Sequence, residues 1–300
     1  EINELKKIDN LEIKTRTSVA AYHGYNFLLA RENLTDHLPH ESKENKIRQR
    51  LLKIRAKKVI IATGAIERPL IFNNNDRPGI LLASAIKKYS DFYGVACGEK
   101  NVLFTNNDSA YETAISLNEK GSKVEAIIDT REEHTSELVK EVQKLGIKIY
   151  FSHTIINTEG HRRIRKIILM KLSIDGKSAT GSSFTINCDC LGISGGWTPA
   201  VHLFTQSGGK LKFDDDNNIF IPNIYPSDQI SIGSCNGSFQ LNEIIKSSSN
   251  QLKTFLKIDK TDYDNIEISC PIEKSKRNIW LLPSNQSIGK TKSFVDYQND

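Results

Sequence analysis

Apolar positions along this chain follow three rhythms. Short continuous runs, Val59-Ile60-Ile61-Ala62, Val102-Leu103-Phe104 and Val124 to Ile128, predict strands covered on both faces. Helical spacing recurs at Leu82, Ala85, Ile86, Tyr89 and Tyr93, and again at Leu138, Val139, Val142 and Leu145, which predicts two helices with one buried side each. Strict alternation at Ile147, Ile149 and Phe151 predicts a half-buried strand. Gly94, Gly121 and Gly146 stand where the helices should stop. From Asn101 to Asp129 the order is strand, turn, helix capped by Asp108 or Ser109, strand, then an acid; that is the layout of a dinucleotide-binding unit.

Around this centre lie other patterns. A short helix over Ile2 to Ile8 precedes strands at Thr17 to Ala21, Phe27 to Ala30 and Leu51 to Ile54, an antiparallel excursion with a polar connection from Asn33 to Lys46. Ile155-Ile156, Ile164 to Leu172 and Phe184 to Cys188 predict further strands, with turns at Asn157 to Gly160 and Asp175-Gly176. From Cys190 the chain is expected to return to the fold that contains Val59. It does so through the Gly195 to Pro199 turn, a helix over Val201 to Gln206, a strand at Ile219 to Ile221, and Ile230 to Ile232. That last strand enters the glycine turn Gly233 to Gly237 ahead of a helix over Phe239 to Lys246, whose first amides can hold polar or anionic atoms of a dinucleotide. At the other strand, the small residues Ala62, Thr63 and Gly64 allow a ligand to approach the backbone. Beyond Asn250 the pattern loosens into a linker.

Composition adds limits. Three hundred residues suffice for two ordinary domains, and no apolar run approaches the roughly 18–20 residues that cross a membrane. The start, EINELKKIDN, has neither Met nor a signal-peptide pattern, and the chain reads as an internal piece of a longer polypeptide. A net charge of +5 is scattered rather than massed, so neither nucleic acid nor membrane is expected as a partner. The basic cluster from His161 to Lys166 reads as a solvated hairpin tip. Five cysteines without Cys-x-x-Cys spacing point to reduced thiols and a cytoplasmic location. Cys188 and Cys190 are two apart on an expected strand, hence on one face, as core residues rather than metal ligands. No metal cluster and no catalytic residue is predicted.

The turn after Phe104 departs from the glycine-rich fingerprint: it reads Thr105-Asn106-Asn107-Asp108-Ser109-Ala110. Asparagine tolerates a left-handed backbone, yet these side chains and the Asp108 charge would crowd a pyrophosphate. Two readings stay open. Either Thr105, Asn106 and Asn107 form a second nucleotide site with Asp129 and Arg131 as readers of the ribose and its 2′-phosphate, or this fold is purely structural.

The phrases ATGAIERPLIF, NNDRPGILLASA, VLFTNNDSAYETA, SGGWTPAVHLFTQSGGKL, SIGSCNGSFQ and KSFVDYQND resemble, in order, the alpha subunits of heterotetrameric sarcosine oxidases. The resemblance implies an α/β fold of two Rossmann-like dinucleotide-binding domains of the disulfide-reductase-like flavoprotein type, the second inserted in the first. On this chain residues 1–98 would be the first domain, part A, with its Gly-x-Gly-x-x-Gly unit upstream of Glu1. Residues 99–190 would be the insert, 191–250 the first domain, part B, and 251–300 a linker toward a folate-binding, aminomethyltransferase-like domain. It implies NAD held in this region by Ala62, Thr63, Gly64, Arg68, Gly233, Asn236 and Gly237. The assembled enzyme would carry FAD, FMN and tetrahydrofolate, with beta, gamma and delta subunits as partners and amine oxidation on the beta subunit. Alternatives are a pyridine-nucleotide-dependent FAD oxidoreductase, an amine or opine dehydrogenase alpha subunit, and a nucleotide-free interaction scaffold.

Overall fold

The computed structural model describes residues 2–39, 42, 46–226, 228–259, 268, 277–284 and 290–295. The chain divides into two compact units. Unit 1 comprises residues 1–64, 199–239 and 243–265, and unit 2 comprises 65–198, 240–242 and 266–300.

In unit 1, a one-turn helix α1 (Ile2–Leu5) leads to strands β1 (Thr17–His23), β2 (Phe27–Asn33) and β3 (Gln49–Arg55), an antiparallel meander in that order. Strand β4 (Val59–Ile61) follows, and pairs in parallel with a strand near the end of the unit. Asn26 ties the meander to this pair. Its backbone takes the left-handed conformation that asparagine tolerates, and its side chain donates to the carbonyls of Lys57 (3.2 Å) and Asp228 (3.0 Å). Tyr22 Oη donates to Asn26 Oδ1 at 2.7 Å, in a small core of Tyr22, Leu28, Ile61, Phe204 and Cys235.

Unit 2 runs through β5 (Ala65–Glu67), β6 (Ile80–Leu82), α2 (Ala83–Tyr93), β7 (Asn101–Thr105), α3 (Ser109–Glu119), β8 (Val124–Asp129), α4 (Glu137–Lys144) and β9 (Lys148–Tyr150). It continues with β10 (His153–Glu159), β11 (Lys166–Leu172), β12 (Ala179–Asn187), β13 (Cys190–Ser194) and β14 (Trp197–Pro199). Five of these strands form one parallel sheet in the order β6-β13-β7-β8-β9. Period-two alternation explains why its runs are apolar throughout. Val102, Phe104, Ala126 and Ile128 face one way and pack with Ile155, Ile167 and Leu169 of the β10-β11-β12 meander. Leu103 and Ile127 face the other way, against Ala110, Tyr111, Ala114, Leu138, Val139 and Val142 of the helices.

The helix ends follow the residues at them. Gly94 closes α2 at φ 63°, with its amide bonded to Ser90 O. Ser136 starts α4 by accepting from the amide of Val139 at 3.2 Å. Ser136→Ala should therefore lower stability by about 1 kcal/mol, read as a shift in the urea midpoint at unchanged slope.

Back in unit 1, α5 (His202–Gln206) precedes the hairpin β15 (Lys210–Asp214) and β16 (Ile219–Ile224), then β17 (Gln229–Ser231), the partner of β4. A 3₁₀ turn, Gly233–Asn236, and helix α6 (Leu241–Leu256), whose residues from Glu243 on belong to this unit, complete it. Lys58 holds α6 to the start of β4, with its ammonium over the Phe255 ring at 4.3 Å and bonded to Phe255 O at 3.1 Å.

Three expectations change. Cys190 to Ser194 does not rejoin the first fold: it is an inner strand of the unit 2 sheet, flanked by β6 and β7. A five-residue run buried throughout suits an inner strand, and β6 and β7 flank it on both edges. Cys188 and Cys190 consequently lie in different core clusters, because β12 ends at Asn187 and the chain turns before β13. The segment from residue 251 is in part the second half of α6 rather than linker. Residues 277–284 and 290–295 of the expected linker are instead bonded within unit 2, Leu282 N to Ile71 O at 2.8 Å and Phe294 N to Asn75 Oδ1 at 2.6 Å. Residues 260–267, 269–276, 285–289 and 296–300 lie outside the described residues, as do part of the 33–46 connection and Cys270.

Candidate functional site

In unit 1 the parallel pair β4–β17 brings the ends of both predicted segments together: Val59↔Gln229, Ile60↔Ile230 and Ile61↔Ser231. The pairing continues past the strands, since the Ile232 amide donates to Ile61 O at 2.9 Å. Cys235 fastens the 3₁₀ turn from below, its Sγ 3.3 Å from Ile61 O and 3.1 Å from Ile232 O. Ala62, Thr63, Gly64, Gly233, Asn236 and Gly237 thus stand at adjacent carboxyl ends of two parallel strands, the position at which open α/β sheets take ligands.

Access differs among them. Ala62 and Thr63 are exposed, and Gly64, Gly233, Asn236 and Gly237 are half-buried. Gly64 has φ +74°, and a Cβ built there meets no atom within 4 Å. Gly233 has φ +73°, and its nearest neighbour would be Ile244 Cγ2 at 3.6 Å. Open space over a left-handed backbone suits close approach of a pyrophosphate or ribose at Gly64 and Gly233, whereas a Cβ at Gly237 would meet Ile221 Cγ2 at 2.9 Å. Thr63 does not offer its hydroxyl: Oγ1 donates to Ala200 O at 2.7 Å, and Ala200 N donates to Gly64 O at 3.0 Å. The loop is fixed by α5's approach segment, and backbone remains the binding surface. One expectation is corrected here. Gly233 and Asn236 lie on the separate 3₁₀ turn, which Gly237 ends at φ +87° while its amide donates to Ser234 O, so the amides that open α6 belong to later residues.

Arg68 belongs to unit 2. Its guanidinium lies 3.8 Å from the centre of the Trp280 ring, a cation–π stack, and the residue is buried. Its neighbour Glu67 accepts from the Ser84 amide at 2.8 Å, capping α2, whose own N-cap residue Leu82 has no side chain for the purpose. Burial, opposed by hydrogen bonds from Ser84 and Ser194, raises the Glu67 carboxyl above its usual range. A raised folded-state value means the native protein binds that proton more tightly than the unfolded chain. The contribution to stability is therefore full below the unfolded carboxylate range and is lost as pH rises through the folded value. Against Glu67→Gln, which keeps the acceptor, wild-type urea midpoints should fall as pH rises from about 4.5. Parallel pH profiles for the two proteins would sink this account.

At the second predicted site the structure brings the named residues together and seals them. Thr105, Asn106, Asn107 and Asp108 are all buried, as are Asp129, 0 % exposed, and Arg131, 2 % exposed. Arg131 binds Asp129 through Nε (3.0 Å to Oδ1) and Nη2 (2.7 Å to Oδ2), and reaches Asp108 at 2.8 Å. Tyr111 Oη donates to Asp129 Oδ2 at 2.7 Å. Burial, then the charge and hydrogen bond of Asp129, push the tyrosine's pKa up, so it stays a donor. Burial alone would lower that of Arg131, but the two carboxylates more than offset it. Asp108 is drawn into this cluster and so does not cap α3; its φ and ψ are already helical. The ribose and phosphate readers of the expected second site are therefore spent on one another. Sequence spacing set Asp129 and Arg131 at the end of a strand beside the turn, but nothing in it revealed that Arg131 would fold back two residues onto Asp129.

Thiol chemistry has little footing. Among the described residues Cys97, Cys188, Cys190 and Cys235 are free, and burial pushes Cys188 and Cys190 up to about 12, far from a reactive thiolate. Among the described residues no group of His, Cys, Asp and Glu gathers to hold a metal, and no helix is long and apolar enough to cross a membrane.

Comparison with known proteins agrees with this arrangement. The family described as "Pyridine nucleotide-disulphide oxidoreductase" matches residues 29–228, two-thirds of the chain. The chain belongs to that family. The sarcosine oxidase subunit alpha of Corynebacterium sp. (strain P-1) is 31% identical over 307 residues, covering 100% of this chain and 31% of that protein. Its counterpart from Rhizobium meliloti (strain 1021) is 28% identical over 315 residues, covering 99% and 29%. The resemblance read from the scattered phrases is thereby borne out, and this chain spans about a third of the length of those curated relatives. Among solved structures, T. acidophilum thioredoxin reductase superposes with a TM-score of 0.55 at 17% identity, over 81% of this chain and 72% of that one. L-proline dehydrogenase from P. horikoshii gives 0.53 at 19% identity, over 84% and 43%. Both bear out the FAD/NAD(P)-type α/β fold class expected of this oxidoreductase family member.

Proposed function

We propose that this chain is the central part of the alpha subunit of a multisubunit sarcosine oxidase, and that it holds NAD in unit 1. The observation that carries this reading is similarity along almost the whole chain to sarcosine oxidase alpha subunits. The open backbone at Gly64 and at Gly233 supports the placement of the nucleotide. Bound NAD supplies a nicotinamide able to exchange a hydride, and the fold around it holds that group in place. In this chain the backbone of β4 and the 3₁₀ turn does the holding, Thr63 and Cys235 keep both in position, and no residue is proposed to act on substrate.

The assembled enzyme would convert sarcosine to glycine with oxygen as electron acceptor, yielding peroxide, and with tetrahydrofolate taking the one-carbon unit. FAD would serve on a beta subunit, FMN and tetrahydrofolate elsewhere in the assembly, and gamma and delta subunits would complete it in the cytoplasm. Part of this region would serve as a docking scaffold for those partners. Purification of the full-length subunit with its partners, followed by denaturation and chromatography of released ligands, tests the reading. NAD in amounts matching the alpha subunit is expected. FAD on this subunit would favour a pyridine-nucleotide-dependent reductase, and release of no nucleotide would favour a scaffold.

A further inference from the structure

The strand order of unit 2, β6-β13-β7-β8-β9, reverses direction between β7 and β13. That reversal marks the crevice in which a doubly wound sheet takes its ligand, beyond the carboxyl ends of the strands. In this protein the crevice holds the protein's own chain. Asn106, the residue directly after β7, donates from Nδ2 to the carbonyls of Arg277 (3.0 Å) and Ile279 (3.2 Å). Trp280 Nε1 donates to Gly195 O, one residue past β13, at 2.6 Å. Arg277 spans to the end of β8 and to the meander, bonding the carbonyls of Thr130, of Ser173 (2.9 Å) and of Ile174 (2.6 Å).

The segment is also joined through its backbone by a single bridge. Ile71 N donates to Trp280 O at 2.7 Å, and Leu282 N donates to Ile71 O at 2.8 Å, in a parallel bridge between Ile71 and Leu281. Leu282 enters the core beside Leu70 and Phe72, and Arg68 stacks on Trp280. Side-chain anchors on either side of a short backbone bridge are features shared with peptide recognition by strand addition.

Three amides of the phosphate turn are already engaged within the protein. The amide of Asn106 donates to Ser194 O (3.3 Å), that of Asn107 to Thr105 Oγ1 (3.0 Å), and that of Ser109 to Asn107 Oδ1 (2.9 Å). The residue before α3, Asp108, makes no side-chain cap and places a buried carboxylate there, paired with Arg131 at 2.8 Å. A pyrophosphate there would meet like charge and amides already in use.

We infer that the crevice of the second nucleotide fold is a peptide clamp for residues 277–282, which occupy the place of a dinucleotide, so that unit 2 binds none. This is independent of whether unit 1 holds NAD. The test uses the full-length protein, photolabelled with 2-azido-NAD and, separately, 2-azido-NADP, with mapping of the labelled peptides. Hydrogen exchange is followed with and without 1 mM NAD, a concentration on the order of a weak-site dissociation constant. Labelling within residues 105–131 that excess nucleotide competes away would overturn the inference, as would nucleotide-induced exposure of the Ile71 or Leu282 amides. Labelling absent from that stretch, with both amides equally protected in all states, is the expected result. Arg277→Ala should speed exchange at Ile71 and Leu282 by roughly tenfold or more while Val102 to Phe104 stay protected. If those two amides keep wild-type protection in Arg277→Ala, the clamp assignment fails. Loss of label in unit 1 alone would count against the proposed NAD site and leave the clamp standing.

Discussion

Arg131→Met should lower the stability of unit 2 by roughly 3–5 kcal/mol, the range found when one member of a buried charge cluster is removed. The side chain is almost wholly buried, makes a two-point contact with Asp129, and also reaches Asp108. Its removal leaves two buried carboxylates without their shared guanidinium, Asp129 keeping the Tyr111 hydroxyl and, at 2.9 Å, the amide of residue 131 as donors. Urea unfolding gives the measurement. The size of the effect separates this cluster from an exposed ion pair, which is worth about 1 kcal/mol or less. The double variant Arg131→Met with Asp129→Asn should recover part of the loss, because the uncompensated charge is what costs most. A single-variant loss below about 1 kcal/mol would mean that water reaches the cluster and that the sealed-site description is wrong.

The second large effect concerns unit 1. Gly64→Val should reduce NAD retention roughly tenfold or more, equivalent to about 1.4 kcal/mol, read as NAD recovered per alpha subunit and as a dissociation constant. A branched side chain at φ +74° is strained and enters space that is open in the structure. Strain alone would also destabilise the fold, so Gly64→Asn serves as the companion: asparagine accepts the left-handed backbone yet still fills the space. Both variants should lose NAD, and only the valine should melt appreciably earlier. Full NAD retention in Gly64→Asn would place the nucleotide somewhere other than at the end of β4.

Much of this architecture could be read in advance wherever it depends on local pattern. The runs at Val102 and Val124 and the spacing of Leu138 to Val142 became β7, β8 and α4, and Gly94 stops α2 as expected. The β1-β2-β3 meander followed from three β-rich stretches separated by turns. What failed was the placement of Cys190 to Ser194. Its apolar run announces a covered strand without saying which sheet covers it, and long-range pairing with β6 and β7 decided the matter. The buried role of Arg68 was equally hidden, because its partner Trp280 lies more than two hundred residues away in sequence.

The sequence by itself determined the family, the fold class and the two glycine-bearing strand ends of unit 1. Those depend on short-range rhythm, on single residues able to take unusual backbone angles, and on phrases shared with relatives. Tertiary structure alone decided what becomes of the second nucleotide fold. Asp129 and Arg131 stand at the spacing of ribose and phosphate readers, beside a turn whose side chains already crowd the site, but hydrogen-bonding capacity is finite. In the folded chain those groups bind one another and the returning segment at Arg277 to Leu282. A polar group buried with its partners already made cannot read a ligand without first losing them. That accounting is visible only once residues far apart in the chain have been brought together.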